Sequence, residues 1–111
     1  MIISVTSIHL KSPFAFFSLA NKARLILKQL QHSNCRDFKK KGWWRTHYTL
    51  TTWEGEAEMK AFASKDAHLK AMKSSKDIAD IIQVYTYEAD ELPSWKEAIT
   101  LLNEKGQKIH F

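Results

Sequence analysis

Apolar and polar residues follow strand spacing in four segments of the chain, and together these segments predict a sheet. Residues 2–9 and 78–88 carry apolar side chains at both parities, as strands do when both faces are covered. Residues 43–53 form the longest predicted strand, because they are rich in aromatic and β-branched side chains and contain no Pro or Gly. A weaker strand at residues 35–39 precedes it and is predicted to end in a hairpin turn where Gly42 has a positive φ.

Three other segments have the spacing of amphipathic helices. The first, residues 12–31, begins at a Ser-Pro pair, which suits the N-cap and the first helical position. The second lies within residues 54–75, where acidic residues precede the apolar stripe. The third, residues 94–105, opens with a Ser-x-x-Glu capping box. On the first helix the stripe predicted to pack inward is Phe16, Ala20, Ala23, Leu27 and Leu30.

The order of these elements, β-α-β-β-α-β followed by a C-terminal helix, predicts the fold class. The predicted fold is a ferredoxin-like α+β domain, which is an antiparallel sheet with both main helices on one face. Residues 1–111 form it as a single domain. The helices leave the second face of the sheet bare, yet the first and last strands have no clearly polar side. A second copy related by a two-fold axis is the simplest cover, so we expect a homodimer.

Composition narrows the class of protein. The chain has 111 residues, a net charge of +5 and one cysteine, Cys35, which cannot form an internal disulfide and favours a cytoplasmic location. No apolar run could span a bilayer and no signal peptide is evident, so no membrane partner is expected. The only run of charge, Lys39 to Lys41, is interpreted as an exposed turn. The alternative is single-stranded nucleic-acid binding by these lysines with Trp43 and Trp44.

His68 is the first candidate for chemistry. It lies on the inward side of the second helix, next to a strand that ends in Trp53, and imidazole titrates near neutral pH. It could act as a catalytic base or orient a substrate hydroxyl. The alternative is a core histidine hydrogen-bonded to a carbonyl or to water.

The long strand supplies the other candidates. One parity carries an unusually polar row for a buried face, with Arg45 and His47 before two threonines and Trp53. This row could line a ligand pocket between sheet and helices, or it could form the seam of a dimer. His9, at the end of the first strand, could reach the same cavity. The five histidines are spread singly, so no metal site is predicted.

The stretch 49–53 and the helix after it resemble a known family. Trp53 ends the strand. It is followed by the apolar Met59 six residues later, by the aromatic Phe62 nine residues later, and by His68 fifteen residues later. This pattern resembles the antibiotic-biosynthesis-monooxygenase-like proteins of the dimeric α+β barrel superfamily, and also the spheroidene-monooxygenase-like branch. The resemblance implies a homodimer that binds a small apolar or aromatic molecule between sheet and helices.

The resemblance also implies a class of reaction, which is oxygenation without a cofactor. His68 would be the base, with Trp53, Phe62 and Met72 as walls of the site. Haem-degrading relatives place a Trp and a haem-ligating His where this chain has Phe62 and Met72, which argues against their haem site. A barrel that binds a ligand without turnover, and a haem-binding protein, are the alternatives.

Overall fold

A computed structural model describes residues 1–30, 35–63 and 77–110 of the chain. Its centre is a five-stranded sheet in the order β2-β3-β1-β4-β5, in which every neighbouring pair is antiparallel. The strands are β1 (Ile2–Leu10), β2 (Cys35–Trp43), β3 (Thr46–Trp53), β4 (Ala79–Glu88) and β5 (Gln107–His110). The strand order of β1 to β4 is the predicted ferredoxin-like one, and β5 extends the sheet with tail residues to which the sequence assigned no element.

Three helices accompany the sheet within the described residues. A 3₁₀ turn, Pro13–Ala15, leads into α1 (Phe16–Leu30), and α2 (Glu56–Ala63) follows β3. The third, α3 (Trp95–Lys105), begins as predicted, because the Glu97 backbone N–H donates a 3.2 Å hydrogen bond to the Ser94 hydroxyl. In these parts of the chain no helix has both the length and the apolarity that crossing a membrane requires.

The hairpin between β2 and β3 differs from the prediction. The lysine run continues β2 instead of turning, and the two-residue turn is Trp44-Arg45, with Trp44 at a φ of 57°. Gly42 pairs with His47 inside the ladder and has no positive φ. Its role is a close approach, since a Cβ at this position would collide with the imidazole ring of His47.

The two faces of the sheet are covered by different helices. On one face, Trp53 packs with Leu30 of α1 and Phe62 of α2. On the other, residues of β1 and β3 pack against α3 in a cluster made up of Ile3, Val5, Leu50, Ala98 and Leu102. Full burial of such side chains contributes about 1.5–3 kcal/mol each to stability. The face that was expected to be bare is therefore covered at one end by the chain's own C-terminal helix.

The remaining end of that second face is open. His9, Thr46 and Tyr48 are only half-buried there, and they line a shallow depression of about 440 Å³ together with Trp44 and Arg45. The homodimer stays a prediction. The area left for a second copy is this end, and not the whole face.

Candidate ligand-binding site

The row of polar side chains on β3 faces the helices. Trp53 points to α1 and α2, and side chains two apart on a strand share a face, so Thr51, Thr49 and His47 point the same way. The orientation that sequence could not decide is therefore fixed. These side chains lie on the helix side of the sheet, where a pocket would form.

Trp53 and Phe62 close one end of this side. Their ring centroids are 5.2 Å apart, and the exposed fractions of the two residues are 1% and 7%. The Trp53 indole N–H donates a 2.9 Å hydrogen bond to the Thr51 hydroxyl, which fixes the ring. Gln29 Nε2 also donates a 3.0 Å hydrogen bond to the Phe62 carbonyl and joins α1 to α2. These two predicted walls thus form packed core.

Hydroxyl groups occupy the middle of the helix side. Ser4 and Thr86 share a hydrogen bond of 3.3 Å across β1 and β4. Thr6 and Thr49 are paired directly across β1 and β3, both are half-buried, and neither hydroxyl has a hydrogen-bond partner within the ranges that the structure describes. Accessible hydroxyls of this kind bond to water, and an oxygen or nitrogen of a ligand can take the place of that water.

Phe16 and His47 mark the other end. Their rings lie 5.4 Å apart at 31°, and His47 Nε2 is 3.2 Å from the Trp44 carbonyl oxygen. A carbonyl only accepts, so this contact requires the proton on Nε2 and leaves Nδ1 as an acceptor. Nδ1 lies above Gly42, whose missing side chain makes room for the ring.

Helix α1 is packed closely only along its C-terminal half. Ile26, Leu27 and Leu30 contact the Trp53–Phe62 cluster, whereas Phe16 is 45% exposed and Ala20 is exposed. The predicted stripe is therefore well buried only toward Leu30: Ala20 is exposed, and Phe16 contacts His47 of the sheet but stays partly exposed. We call the helix side of the sheet, from the buried end at Leu30 to the partly exposed end at Phe16, the wedge.

Two predicted ligand-binding residues, His9 and Arg45, lie away from this wedge. Arg45 donates to the Leu10 carbonyl at 2.8 Å and the Lys11 carbonyl at 2.9 Å, and it contacts Asp80 Oδ2 at 3.3 Å. His9 Nδ1 is 3.7 Å from the same carboxylate oxygen. Sequence analysis missed Asp80, which the antiparallel pairing of β1 with β4 brings beside His9. With its donors engaged, Arg45 fastens the end of β1 to the hairpin.

The sequence also singled out His68, Met72 and Cys35. His68 and Met72 lie outside the described residues. Burial raises the pKa of the Cys35 thiol, so this side chain is less ionised than an ordinary cysteine at neutral pH. Within the described ranges no group of three His, Cys, Asp or Glu side chains comes together to hold a metal ion.

Comparison with known proteins rests on structure, because no family model and no curated protein matches the sequence. A conserved protein from Methanosarcina mazei Go1 aligns with a TM-score of 0.73 at 14% identity, covering 80% of this chain and 92% of that one. An antibiotic biosynthesis monooxygenase aligns with a TM-score of 0.70 at 12% identity, covering 84% of this chain and 100% of that one. The chain has the antibiotic-biosynthesis-monooxygenase-like fold.

A third structure has the same fold and a related name. A protein from Deinococcus radiodurans, provisionally named an antibiotic biosynthesis monooxygenase, aligns with a TM-score of 0.69 at 15% identity over 85% of this chain and 97% of that one. The resemblance predicted from Trp53 and the helix after it is confirmed at the level of the fold. Identity this low establishes the antibiotic-biosynthesis-monooxygenase-like fold and no activity.

Proposed function

We propose that the protein binds a small, mainly apolar or aromatic molecule between its sheet and α1, and oxygenates it without a cofactor. The observation that carries this proposal is the wedge on the helix side. It has a packed aromatic end at Trp53, two hydroxyls in the middle that have no hydrogen-bond partner among the described residues, and a partly exposed aromatic end at Phe16. Apolar walls with a few placed polar groups are the usual composition of small-molecule sites.

Each part of the wedge has a separate task in this proposal. The hydroxyls of Thr6 and Thr49 hydrogen-bond to oxygen atoms of the ligand and set its orientation. The rings of Phe16 and His47 stack on its flat face, and the Trp53–Phe62 pair excludes water from its inner edge. The names of the structures that share the fold support a monooxygenase-like reaction.

The reaction that needs no cofactor begins with an electron-rich substrate, such as an aromatic ketone with an activated CH₂ group. A base removes one proton, and the carbanion reduces O₂ as a C–OOH group forms. Loss of water then leaves a carbonyl, so that CH₂ and O₂ become C=O and H₂O. We assign the base to His68, from the sequence pattern.

Oxygen uptake with 1,8-dihydroxyanthrone tests the proposal. We expect the protein to accelerate uptake above autoxidation, with one O₂ consumed per quinone formed, and His68→Ala to lower the rate by about 10²–10⁴-fold, as loss of a catalytic base does. Ligand binding by that variant, followed by thermal shift, should be retained.

The outcomes separate the alternatives. A folded His68→Ala protein with full turnover would show that the base is elsewhere. Binding without oxygen uptake in the unmodified protein would contradict the reaction and support a non-catalytic ligand-binding barrel. A Soret band after incubation with haemin would move the assignment to haem binding.

A further inference from the structure

Large apolar side chains are exposed together where the 3₁₀ turn meets the hairpin. Phe14, Phe17 and Trp44 are exposed to 80%, 74% and 68%, and they line one open depression of about 600 Å³ together with Pro13, Phe16 and His47. Leu25, one of the other exposed large apolar side chains, lies eight residues after Phe17, which helical spacing brings to the same side of α1. We call Phe14, Phe17, Leu25 and Trp44 the aromatic patch.

The part of the chain that forms the patch is mainly basic, although Asp80 contacts Arg45, the neighbour of Trp44, at 3.3 Å. Residues 1–53, which form α1 and three strands of the sheet, contain nine Lys and Arg and one acidic residue, Asp37. Residues 54–111 contain eight basic and eleven acidic residues. On α1 itself Lys22, Arg24 and Lys28 have no acidic neighbour in the helix, and Arg24 and Lys28 are exposed. We call these three the basic residues of α1.

Trp44 is an unexpected residue for its backbone position. Its φ of 57° lies in the left-handed region, where a bulky L-residue is disfavoured by roughly 1–2 kcal/mol relative to the right-handed form. Glycine or asparagine would satisfy the hairpin with less strain. The turn therefore does not call for a tryptophan, whereas an exposed contact through the indole ring would.

We propose that the aromatic patch and the basic residues of α1 dock the protein on an anionic lipid membrane. A helix with Phe and Leu beside Lys and Arg is the composition of segments that lie in the membrane interface. The apolar rings enter the headgroup region while the cations contact lipid phosphates. Trp suits this depth because its ring has an apolar body and one N–H donor.

Charge and chemistry favour a membrane over two other partners, a second copy of the chain and a single-stranded nucleic acid. A second copy seated on the patch by a two-fold axis would bring two helices without acidic residues against each other, and like charges repel. A single-stranded nucleic acid would use the aromatic rings for stacking, but Leu25 cannot stack on a base. The sequence predicted no membrane partner because no segment could span a bilayer. Docking through this surface requires no spanning segment.

Sedimentation with lipid vesicles tests the proposal. At low salt, we expect the protein to bind vesicles of phosphatidylcholine mixed with phosphatidylglycerol and not vesicles of phosphatidylcholine alone, and to be released as salt is raised. Phe14→Ser with Phe17→Ser should weaken binding about tenfold or more, since two buried rings are lost. Ile109→Ser removes an exposed apolar side chain outside the patch and should leave binding unchanged.

Charge variants give an independent readout. Arg24→Gln with Lys28→Gln should reduce binding and its salt dependence, whereas Lys105→Gln with Lys108→Gln, at the other end of the chain, should have a much smaller effect. Melting curves confirm that each variant is folded.

Three results would overturn the proposal. One is no binding to anionic vesicles, and another is binding that the Phe variants do not change. The third is evidence for another partner on this surface. It would be a molecular mass in sedimentation that is lower for the Phe variants than for the unmodified protein, or binding of an oligonucleotide that the Phe variants lose. Oxygen uptake without lipid is measured on the same variants, so this test does not depend on the proposed reaction.

Discussion

His47 and Gly42 form a coupled pair at the partly exposed end of the wedge. The imidazole ring packs against Phe16 at a tilt of 31°, hydrogen-bonds to the Trp44 carbonyl, and occupies the space where a side chain at position 42 would be. Three contacts, from a helix, the hairpin turn and strand β2, thus fix one ring orientation. A ring that is held in one orientation suits a positioning group.

The pair can be tested by a double-mutant cycle. Gly42→Ala should lower the free energy of unfolding by about 1–2 kcal/mol, because the ring must leave its contacts or the strands must separate. In the His47→Ala background the same change should be neutral or stabilising, since the collision is gone and alanine restricts the unfolded chain. Urea unfolding of the four proteins measures the coupling.

Gly55 provides a matched control for this cycle. Among the described residues, a Cβ there would meet the carboxylate end of Glu58, at 3.2 Å, and that flexible side chain can move. Gly55→Ala should therefore change stability little in either background. An equal loss for Gly42→Ala with and without His47 would contradict the proposed collision.

At the scale of elements, α3 decides what the second face of the sheet looks like. Leu102 is fully buried against β1 and β3, and its carbonyl accepts a 2.6 Å hydrogen bond from the buried Gln83 side chain. The helix therefore combines apolar packing with satisfaction of a polar group that would be costly to bury alone. This makes α3 part of the core and not an appendage.

Leu102→Ala measures that contribution. We expect a loss of about 2–5 kcal/mol in the free energy of unfolding, as buried Leu→Ala changes give when a cavity remains. Leu25→Ala on the exposed side of α1 should cost much less, because little burial is lost there. Thermal and urea unfolding of both variants compare the two leucines. Similar losses would mean that α3 does not form this core.

Elements were predictable where one local rule decides them. The capping box of α3 and the apolar runs of β1 and β4 are local, and the structure has all of them. The hairpin was mispredicted because Lys40, Lys41 and Gly42 suit a turn locally, while pairing with β3 keeps them in an edge strand. Only the partner strand carries that information.

The site was less predictable than the fold for a related reason. Alternation places His47, Thr49 and Thr51 on one side of a strand, but not on the helix side in particular, which depends on packing of Trp53. Asp80 escaped notice because its contact with His9 arises from pairing between strands seventy residues apart in sequence. The exposure of Phe14 depends on the point at which α1 diverges from the sheet. The spacing of apolar residues along the helix does not specify that point.

At the scale of the whole molecule, a dimer through the second face of the sheet would use a smaller area than the sequence predicted. With α3 over one end, a partner would cover the depression that includes His9, Thr46 and Tyr48. These side chains are half-buried and mixed in polarity, as in interfaces between folded subunits and unlike a domain core. Such a dimer would leave the wedge free, and of the aromatic patch it would approach Trp44, which also lines the depression.

Analytical ultracentrifugation tests this arrangement. We expect a species of twice the 12.9 kDa chain mass, and a melting temperature that rises with protein concentration because association stabilises the folded state. Thr46→Arg should give the single-chain mass, since a two-fold axis through this end would bring two like charges together. Thr100→Arg, on the exposed side of α3, is the matched control and should leave the dimer intact. A single-chain mass for the unmodified protein at every concentration would mean that α3 alone is the cover this face needs.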